Sequence, residues 1–531
     1  MLKSVMTVGG WTMASRILGF ARDMLMAALI GTGPVADAFF VANKLPNLFR
    51  RLFGEGAFNA AFVPEFAGLL ASEGPDSARQ FAREAFSVMV FWLGALTALG
   101  EIFMPIVMTV FAPGFGSDPA KFALAVDLAR ITFPYLMLIC LAALLSGVLN
   151  GLDKFAAAAG APLLYNMFSI GAMLWLPRYV PTIGHAAAWG VSASGVVQLA
   201  LLVWAAQRAG MPMRVPRPRL TPRIRILLRR MGPGLIGASA SQLNQVVDVI
   251  IASLLPAGTV SLLYYADRVQ QLPLGVIGTA VGTALLPLLS RQVRGGEAAQ
   301  SLATLNRAIE YALFLTLPAA LALAVSAFPI MWVLFGRGAF DIESARLSSQ
   351  SLTAYAIGLP SVVLLKVLAP AFFARGDTAT PVRIGMITLA LNFALNLALM
   401  MPLQHVGPPL ATSLASMFNM VALAVVLARR GFLVPDAALK RRLPRMLLAA
   451  LAMAATLWLA QACLFVHANE AEHAGKFVRL AVLVGGGSLV YAAAAQAIGA
   501  VDLRDLLGLL RQRRLRRARG SAISPAPTTE T

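Results

Sequence analysis

Residues 32–65, TGPVADAFFVANKLPNLFRRLFGEGAFNAAFVPE, decide how this chain reads. The stretch has the apolar density of a membrane segment and yet carries Asp37, Lys44, Arg50, Arg51 and Glu55. Ionisable groups at bilayer depth are costly unless they face water or one another, so they mark a transport path. In a helix, Asn43, Asn47, Arg51 and Glu55 recur every fourth residue and share one stripe, which Pro46 kinks without destroying. The rest of the chain supplies the membrane context: 58% of its 531 residues are hydrophobic, 13% are charged and the mean hydropathy is +0.74. That leaves too little polar surface to cover a water-soluble globule. A spanning helix needs roughly 20 mainly apolar residues, and about fourteen such windows can be placed. They fall near 5–31, 36–70 (long or broken), 84–111, 122–149, 158–176, 186–206, 227–254, 259–289, 307–334, 347–373, 382–402, 409–428, 446–466 and 477–499. The fold expected is an all-α polytopic membrane protein.

Arginine placement tests this layout, because Lys and Arg accumulate in cytoplasmic loops. Counted from a cytoplasmic N-terminus, every second loop is basic: Arg79 and Arg83; Lys154; Arg208 to Arg225; Arg291 and Arg294; Arg375 and Arg383; Arg429 to Arg442. The intervening loops at 177–185, 255–258, 402–408 and 467–476 are short or nearly neutral. Both termini are therefore expected in the cytoplasm. The net charge of +20 follows from these loops and asks for no nucleic acid. The segment RQRRLRRAR at 511–519 reads as a topogenic or anionic-lipid contact, and SAISPAPTTET beyond it as disordered. No cleavable signal is expected, since Arg16, Arg22 and Asp23 interrupt the first apolar stretch. Cys140 and Cys463 read as core packing, without disulfide or metal-ligand spacing.

The chain also repeats itself. At an offset of 224 residues, GGWTMAS at 9–15 lies over PGLIGAS at 233–239 and VANKLPNL at 41–48 over YADRVQQL at 265–272. The same frame sets Gly54 over Gly278, Ala60 over Ala284 and Asp153 over Asp377. Each copy holds about six spans, an even number, so the copies run parallel about an axis along the membrane normal. The expected organisation is a six-helix lobe at 1–208, a basic cytoplasmic linker at 209–226, a second six-helix lobe at 227–430, two additional helices within 442–499 and a basic tail at 500–531. The copies differ where charge matters: Arg51 and Glu55 become Gly275 and Thr279, and Arg16 becomes Ala240.

A cavity lined by Arg16, Arg22, Arg51 and Arg268 wants an anion, and the planar guanidinium fork matches phosphate oxygens bidentately. Asp37, Glu55 and Asp267 are the candidate gating partners that hold such arginines when substrate is absent. The blander alternative makes Asp267 and Arg268, or Arg22 and Asp23, interhelical ion pairs, and lets Arg50 snorkel to the headgroups. Lys366, in an apolar window, joins the functional set. Asp248, Asn392, Asn396 and Thr412 are oxygen-bearing side chains in apolar windows, suited to a coupling Na⁺ or to plain interhelical hydrogen bonding. No phosphate-binding glycine loop, Walker motif or nucleophile triad occurs, so the chain reads as no enzyme and carries no cofactor, with coupling from an ion gradient or the membrane potential.

The runs SRILGFARD at 15–23, DAFFVANKLPNLFRRLFGEGAFNAAFVP at 37–64, APGF at 112–115, YYADR at 264–268, GTALLPLLS at 282–290 and KVLAPAFFARGDTATPVR at 366–383 together resemble the MurJ/MviN family of lipid II flippases. The resemblance extends to about residue 500 and implies a fourteen-helix member of the multidrug/oligosaccharidyl-lipid/polysaccharide exporter superfamily in a bacterial inner membrane. The implied substrate is lipid II, carried to the periplasmic leaflet for peptidoglycan synthesis, with the last two helices forming a groove for its polyprenyl tail. By position, the family's essential charges fall on Arg16, Arg22, Asp37, Arg51, Glu55, Asp267, Arg268 and Lys366. Some members carry an acid where Gln271 stands, so the partner of Arg268 is left open. The rival readings are an exporter of another polyprenyl-pyrophosphate-linked oligosaccharide, a drug or cation antiporter, and a scaffold that recruits cell-wall enzymes through the basic tail.

Overall fold

Several helices begin where a proline or a short polar cap sits. Pro34, Pro75, Pro119 and Pro222 each occupy a first turn, where the missing N–H has no intrahelical partner to lose. Asp118 accepts from the backbone nitrogens of Ala120 and Lys121 at 3.1 Å, and Thr182 and Thr221 cap in the same way. The computed structural model describes residues 2–51, 58–213, 215–465 and 473–500, and among them every regular element is a helix. In order they are α1 (Leu2–Ile30), α2 (Pro34–Phe49), α3 (Asn59–Ser72), α4 (Pro75–Ile102), α5 (Met104–Phe111), α6 (Pro119–Thr132), α7 (Tyr135–Gly151), α8 (Phe155–Trp175) and α9 (Ile183–Arg208). After a non-helical linker come α10 (Pro222–Ser253), α11 (Thr259–Arg294), α12 (Ala298–Val325), α13 (Ala327–Phe335), α14 (Ile342–Phe373), α15 (Ala379–Leu403), α16 (Gly407–Arg429), α17 (Ala437–Phe465) and α18 (His473–Ala497).

The helix starts carry the internal repeat. At the offset of 224, Phe155 of α8 maps onto Ala379 of α15 and Ile183 of α9 onto Gly407 of α16, each the first residue of its helix. The starts of α4 and α12, and of α5 and α13, agree to within one residue. One copy departs from the other at Pro134, which separates α6 from α7. Its equivalent, Gly358, retains an N–H and α14 runs through it. The window expected at 122–149 is one apolar stretch, Pro119–Gly151, with a turn at Phe133–Pro134 between α6 and α7, and the described residues of the window at 36–70 include α2 and α3 on either side of residues 52–57.

Among the described residues, nine helical stretches are long and apolar enough to cross a membrane, and one of them, Ala379–Arg429, is 51 residues long and contains both α15 and α16. Their outer faces expose Phe91, Trp92, Trp175, Met401, Trp458 and Leu489, the surface expected where the solvent is lipid. Cys140 is buried as expected, whereas Cys463 lies exposed on α17.

Two compact units can be described. The first comprises 1–271, 330–358 and 379–419, and one of its cores stacks Phe58, Phe62 and Phe66 of the α3 region with Phe81 of α4 at centroid distances of 5.1–5.7 Å. The second comprises 272–329, 359–378 and 420–531. In it α17 and α18 pack through Met446, Ala449, Met453, Leu457 and Leu483, and the Tyr491 hydroxyl donates to the Phe314 carbonyl of α12 at 2.8 Å. Glu310, buried on α12, accepts from Arg442 at 2.5 Å and from Arg307, which also bonds Asp436 at 2.7 Å. This charged chain fastens the start of α17 to α12.

Candidate functional site

Parallel copies about a twofold axis bring equivalent residues together only near that axis, and α2 meets the first turns of α11 in this way. Asp37 Oδ1 accepts from the backbone nitrogen and the hydroxyl of Ser261, its equivalent, at 2.9 Å each. One turn on, the ring of Phe40 lies on that of its equivalent Tyr264 with centroids 3.9 Å apart. The polar groups of the first unit gather in three clusters, or levels.

The first level is closed. Asp37 is fully buried, and its second oxygen accepts from Lys121 Nζ at 2.8 Å and from the Gly258 nitrogen at 2.7 Å. The Lys121 ammonium also sits 4.1 Å from the centroid of the Phe115 ring. At the end of α1, Gly31 has φ 66° and lies so close to Ala339 that a Cβ would fall 2.3 Å from its carbonyl oxygen. Ala339 in turn donates to the Ala28 carbonyl at 2.8 Å, and Tyr265 donates to that of Gly31 at 3.3 Å.

Asp23 is the hub of the second level. Its Oδ1 accepts from Arg22 Nε at 3.1 Å, Arg22 Nη2 at 2.6 Å and the Tyr264 hydroxyl at 3.2 Å, while Oδ2 takes Arg268 Nε. Arg22 Nη1 donates to Asn166 Oδ1 at 3.2 Å, and its guanidinium stands 5.0 Å from the Tyr165 ring centroid. Asn166 is oriented from α1 by the Ser15 carbonyl at 3.0 Å. Gly19 lines this cluster, and a Cβ there would stand 3.4 Å from both the Arg268 guanidinium and Asn166. Two cations on one carboxylate leave one positive charge in excess. The bonds named use three donor atoms of Arg22 and one of Arg268, whose side chain keeps 31% of its surface accessible, so N–H donors remain for an arriving anion.

At the third level Arg51 is exposed and donates to Gln245 of α10 at 3.2 Å. On the adjoining face of α10, Asn244 accepts from Asn392 at 2.6 Å and Asp248 from the same amide at 3.4 Å. Asn396 donates to the Asn392 carbonyl at 3.0 Å, while Asn396 Oδ1 and Thr412 Oγ1 are buried without a hydrogen-bond partner. Asp248, Asn392 and Asn396 therefore form one cluster, to which Thr412 makes no hydrogen bond. Lys44 interacts electrostatically with both Asp248 and Asp267, and Asp267 accepts from Gln271 at 2.5 Å.

The structure thus brings together Arg22 with Arg268, and Asp248 with Asn392 and Asn396. Arg16 is exposed on α1, Lys366 is half-buried on α14 in the second unit, and Glu55 lies outside the described residues. Arg50 bonds Asn47 at 3.2 Å. The partner expected for Asp37 is an arginine, and the structure supplies Lys121. The partner left open for Arg268 is Asp23. Ser261 and Tyr264 were legible as the offset equivalents of Asp37 and Phe40. Lys121 and Asn166 had no signal beyond being polar in apolar surroundings.

The family model described as Lipid II flippase MurJ matches residues 26–470. A "Probable lipid II flippase MurJ" of Rhizobium meliloti (strain 1021) is 44% identical over 508 residues, covering 95% of each chain. One from Rhizobium tropici is 41% identical over 535 residues, covering 100% of this chain and 98% of its own. Among solved structures, "Lipid II flippase MurJ, inward closed conformation" superposes with a TM-score of 0.77 at 25% identity, over 94% of this chain and 99% of that one. An inward-facing multidrug resistance MATE family transporter of the MOP superfamily shares the fold alone, with a TM-score of 0.63 at 14% identity over 82% of this chain and 99% of its own. With the model spanning most of the sequence and relatives of this identity matching nearly end to end, the chain belongs to the lipid II flippase MurJ family.

Proposed function

We propose that this chain moves lipid II from the cytoplasmic to the periplasmic leaflet of a bacterial inner membrane by alternating access, as a transporter and not an enzyme. The observation that carries the reading is Asp23 shared between Arg22 and Arg268. A pyrophosphate in hydrocarbon would cost on the order of tens of kcal/mol, and guanidiniums with free N–H donors offset that cost. The carboxylate that holds them is an anion of the same kind, so a substrate that first engages the free donors then competes with Asp23 for the two guanidiniums. Arrival and departure of the headgroup then become an exchange of ion pairs, the simplest switch between two states.

With both termini in the cytoplasm, the closed level at Gly31 and Asp37 lies toward the periplasm and Arg16 toward the entry side. The lobes at 1–208 and 227–430 would then rock about the axis marked by Asp37 and Ser261, while the pair within 442–499 offers the polyprenyl tail a lateral groove. Asp248, Asn392, Asn396 and Thr412 would hold Na⁺ in one state and release it in the other, and the chemistry the ion supplies is charge that stabilises that state. Membrane potential acting on the cationic level is the other energy source, at about 2.3 kcal/mol per charge per 100 mV. Cell-wall enzymes are candidate partners of the tail at 500–531.

The test is depletion in the native host followed by complementation. Lipid-linked peptidoglycan precursor should accumulate in the inner leaflet, Arg268→Ala should fail to clear it, and Arg268→Lys should do so only in part because it lacks the planar fork. A drug-efflux defect without precursor accumulation would overturn the proposal.

A further inference from the structure

The linker between α9 and α10 is held along α4 rather than hanging between helices. Its prolines cannot donate, so the carbonyls of this non-helical run need partners from elsewhere. Arg79 Nε donates to the Gly210 carbonyl at 3.1 Å, Arg83 Nε to that of Pro212 at 2.9 Å and the Ser87 hydroxyl to that of Pro216. Residues 79, 83 and 87 stand one turn apart on a single face of α4, which sets the linker in register along that face. Thr221 closes the run by donating to Glu84 at 2.8 Å, and Arg223 docks the start of α10 on Glu73 at 2.9 Å.

The exposed side chains of the linker and of the first turns of α10 are an unusual mixture. Arg217, Arg219, Arg225 and Arg229 are exposed and have no carboxylate partner among the described residues. Between them Leu220 and Ile226 are exposed at 48% and 46%. Just before the linker, the Arg208 guanidinium lies 4.3 Å from the centroid of the exposed Trp204 ring. Tryptophan concentrates at the headgroup level, so Trp204 sets the depth at which the chain leaves α9. Arginines interleaved with apolar side chains at that depth meet phosphates with the one and the acyl boundary with the other.

We infer that the strapped linker, with the first turns of α10, is a binding surface for anionic phospholipid. It rests on the proposed orientation only in assigning this surface to the cytoplasmic leaflet. Symmetric nanodiscs remove that dependence. A Leu220→Cys variant made in a Cys463→Ser background would carry an environment-sensitive fluorophore, in discs of phosphatidylcholine alone or mixed equally with phosphatidylglycerol. The expected result is a blue shift and stronger quenching by a headgroup-labelled nitroxide lipid in the mixed discs, both weakened by salt. Each arginine replaced by glutamine should weaken the phosphatidylglycerol dependence about fivefold, and Arg217→Gln, Arg219→Gln, Arg225→Gln and Arg229→Gln together should remove it. Identical emission and quenching of the wild-type surface in the two discs would overturn the inference and leave an acidic protein as the occupant. So would a dependence that survives the fourfold variant. Because the wild-type comparison involves no charge substitution, loss of folding in that variant would not blunt the test. Failure here would leave transport itself untouched, since precursor accumulation is read separately.

Discussion

Replacing Asp23 with asparagine removes a charge from the centre of the cationic cluster while keeping nearly the same volume. Asp23 is fully buried and accepts from Arg22 twice, from Tyr264 and from Arg268. Removing one partner of a buried pair costs roughly 3–5 kcal/mol. Arg268 is partly accessible, and water screening places the expected cost at the lower end, about 3 kcal/mol. That cost falls on the empty protein alone if pyrophosphate takes over the same N–H donors, because the bound state has already given up the carboxylate. The variant should therefore bind a soluble short-chain polyprenyl pyrophosphate about 10²-fold more tightly. Most of that gain should appear as slower release. Turnover in proteoliposomes, read as the leaflet accessibility of a lipid-linked substrate, should fall while affinity rises. Unchanged affinity together with unchanged turnover would refute the competition. Weaker binding accompanied by a lower melting temperature would reduce Asp23 to a structural counter-ion.

Lys121→Met should destabilise the protein by about 3–5 kcal/mol because it strands the Asp37 carboxylate, and adding Asp37→Asn should recover part of the loss; thermal unfolding of the single and double variants decides, and a single variant as stable as wild type would remove the pair from the closed level. Gly31→Ala places a Cβ against the Ala339 carbonyl in a left-handed conformation, so α1 and the 338–339 turn must part at a cost of about 1–3 kcal/mol. A cysteine at Ala339 should then label faster than in the Gly31 protein, and equal labelling would show that the contact does not hold this end shut. Asp248→Asn should abolish any Na⁺ dependence of a first-lobe cysteine's accessibility, measured against choline, without loss of headgroup binding. A wild type indifferent to Na⁺ would discard the ion site in favour of the membrane potential.

Much of the fold is legible in one dimension because lipid imposes a simple rule: spans must be apolar and roughly 20 residues long. A repeat of six spans then recurs at a constant offset, as the starts of α8 with α15 and α9 with α16 show. Partner choice is another matter. Arg268 finds Asp23 across 245 positions, and Asp37 finds Lys121 across 84. Nothing in either local pattern says so, because a buried charge takes whichever opposite charge the packing delivers. The repeat nevertheless contains more than the architecture. Equivalent residues on the axis face each other, so like charges there would repel, and the copies must diverge wherever they meet. Asp37 opposes Ser261, which donates to it, and Phe40 opposes Tyr264, whose hydroxyl reaches Asp23. The following pair, Lys44 and Arg268, stays cationic in both copies, and each cation is matched by separate acids, Asp248 and Asp267 for Lys44 and Asp23 for Arg268. Cationic character is thus kept at the equivalent position of both copies, each with its own acids, and it is what an anionic substrate crossing between the copies would require.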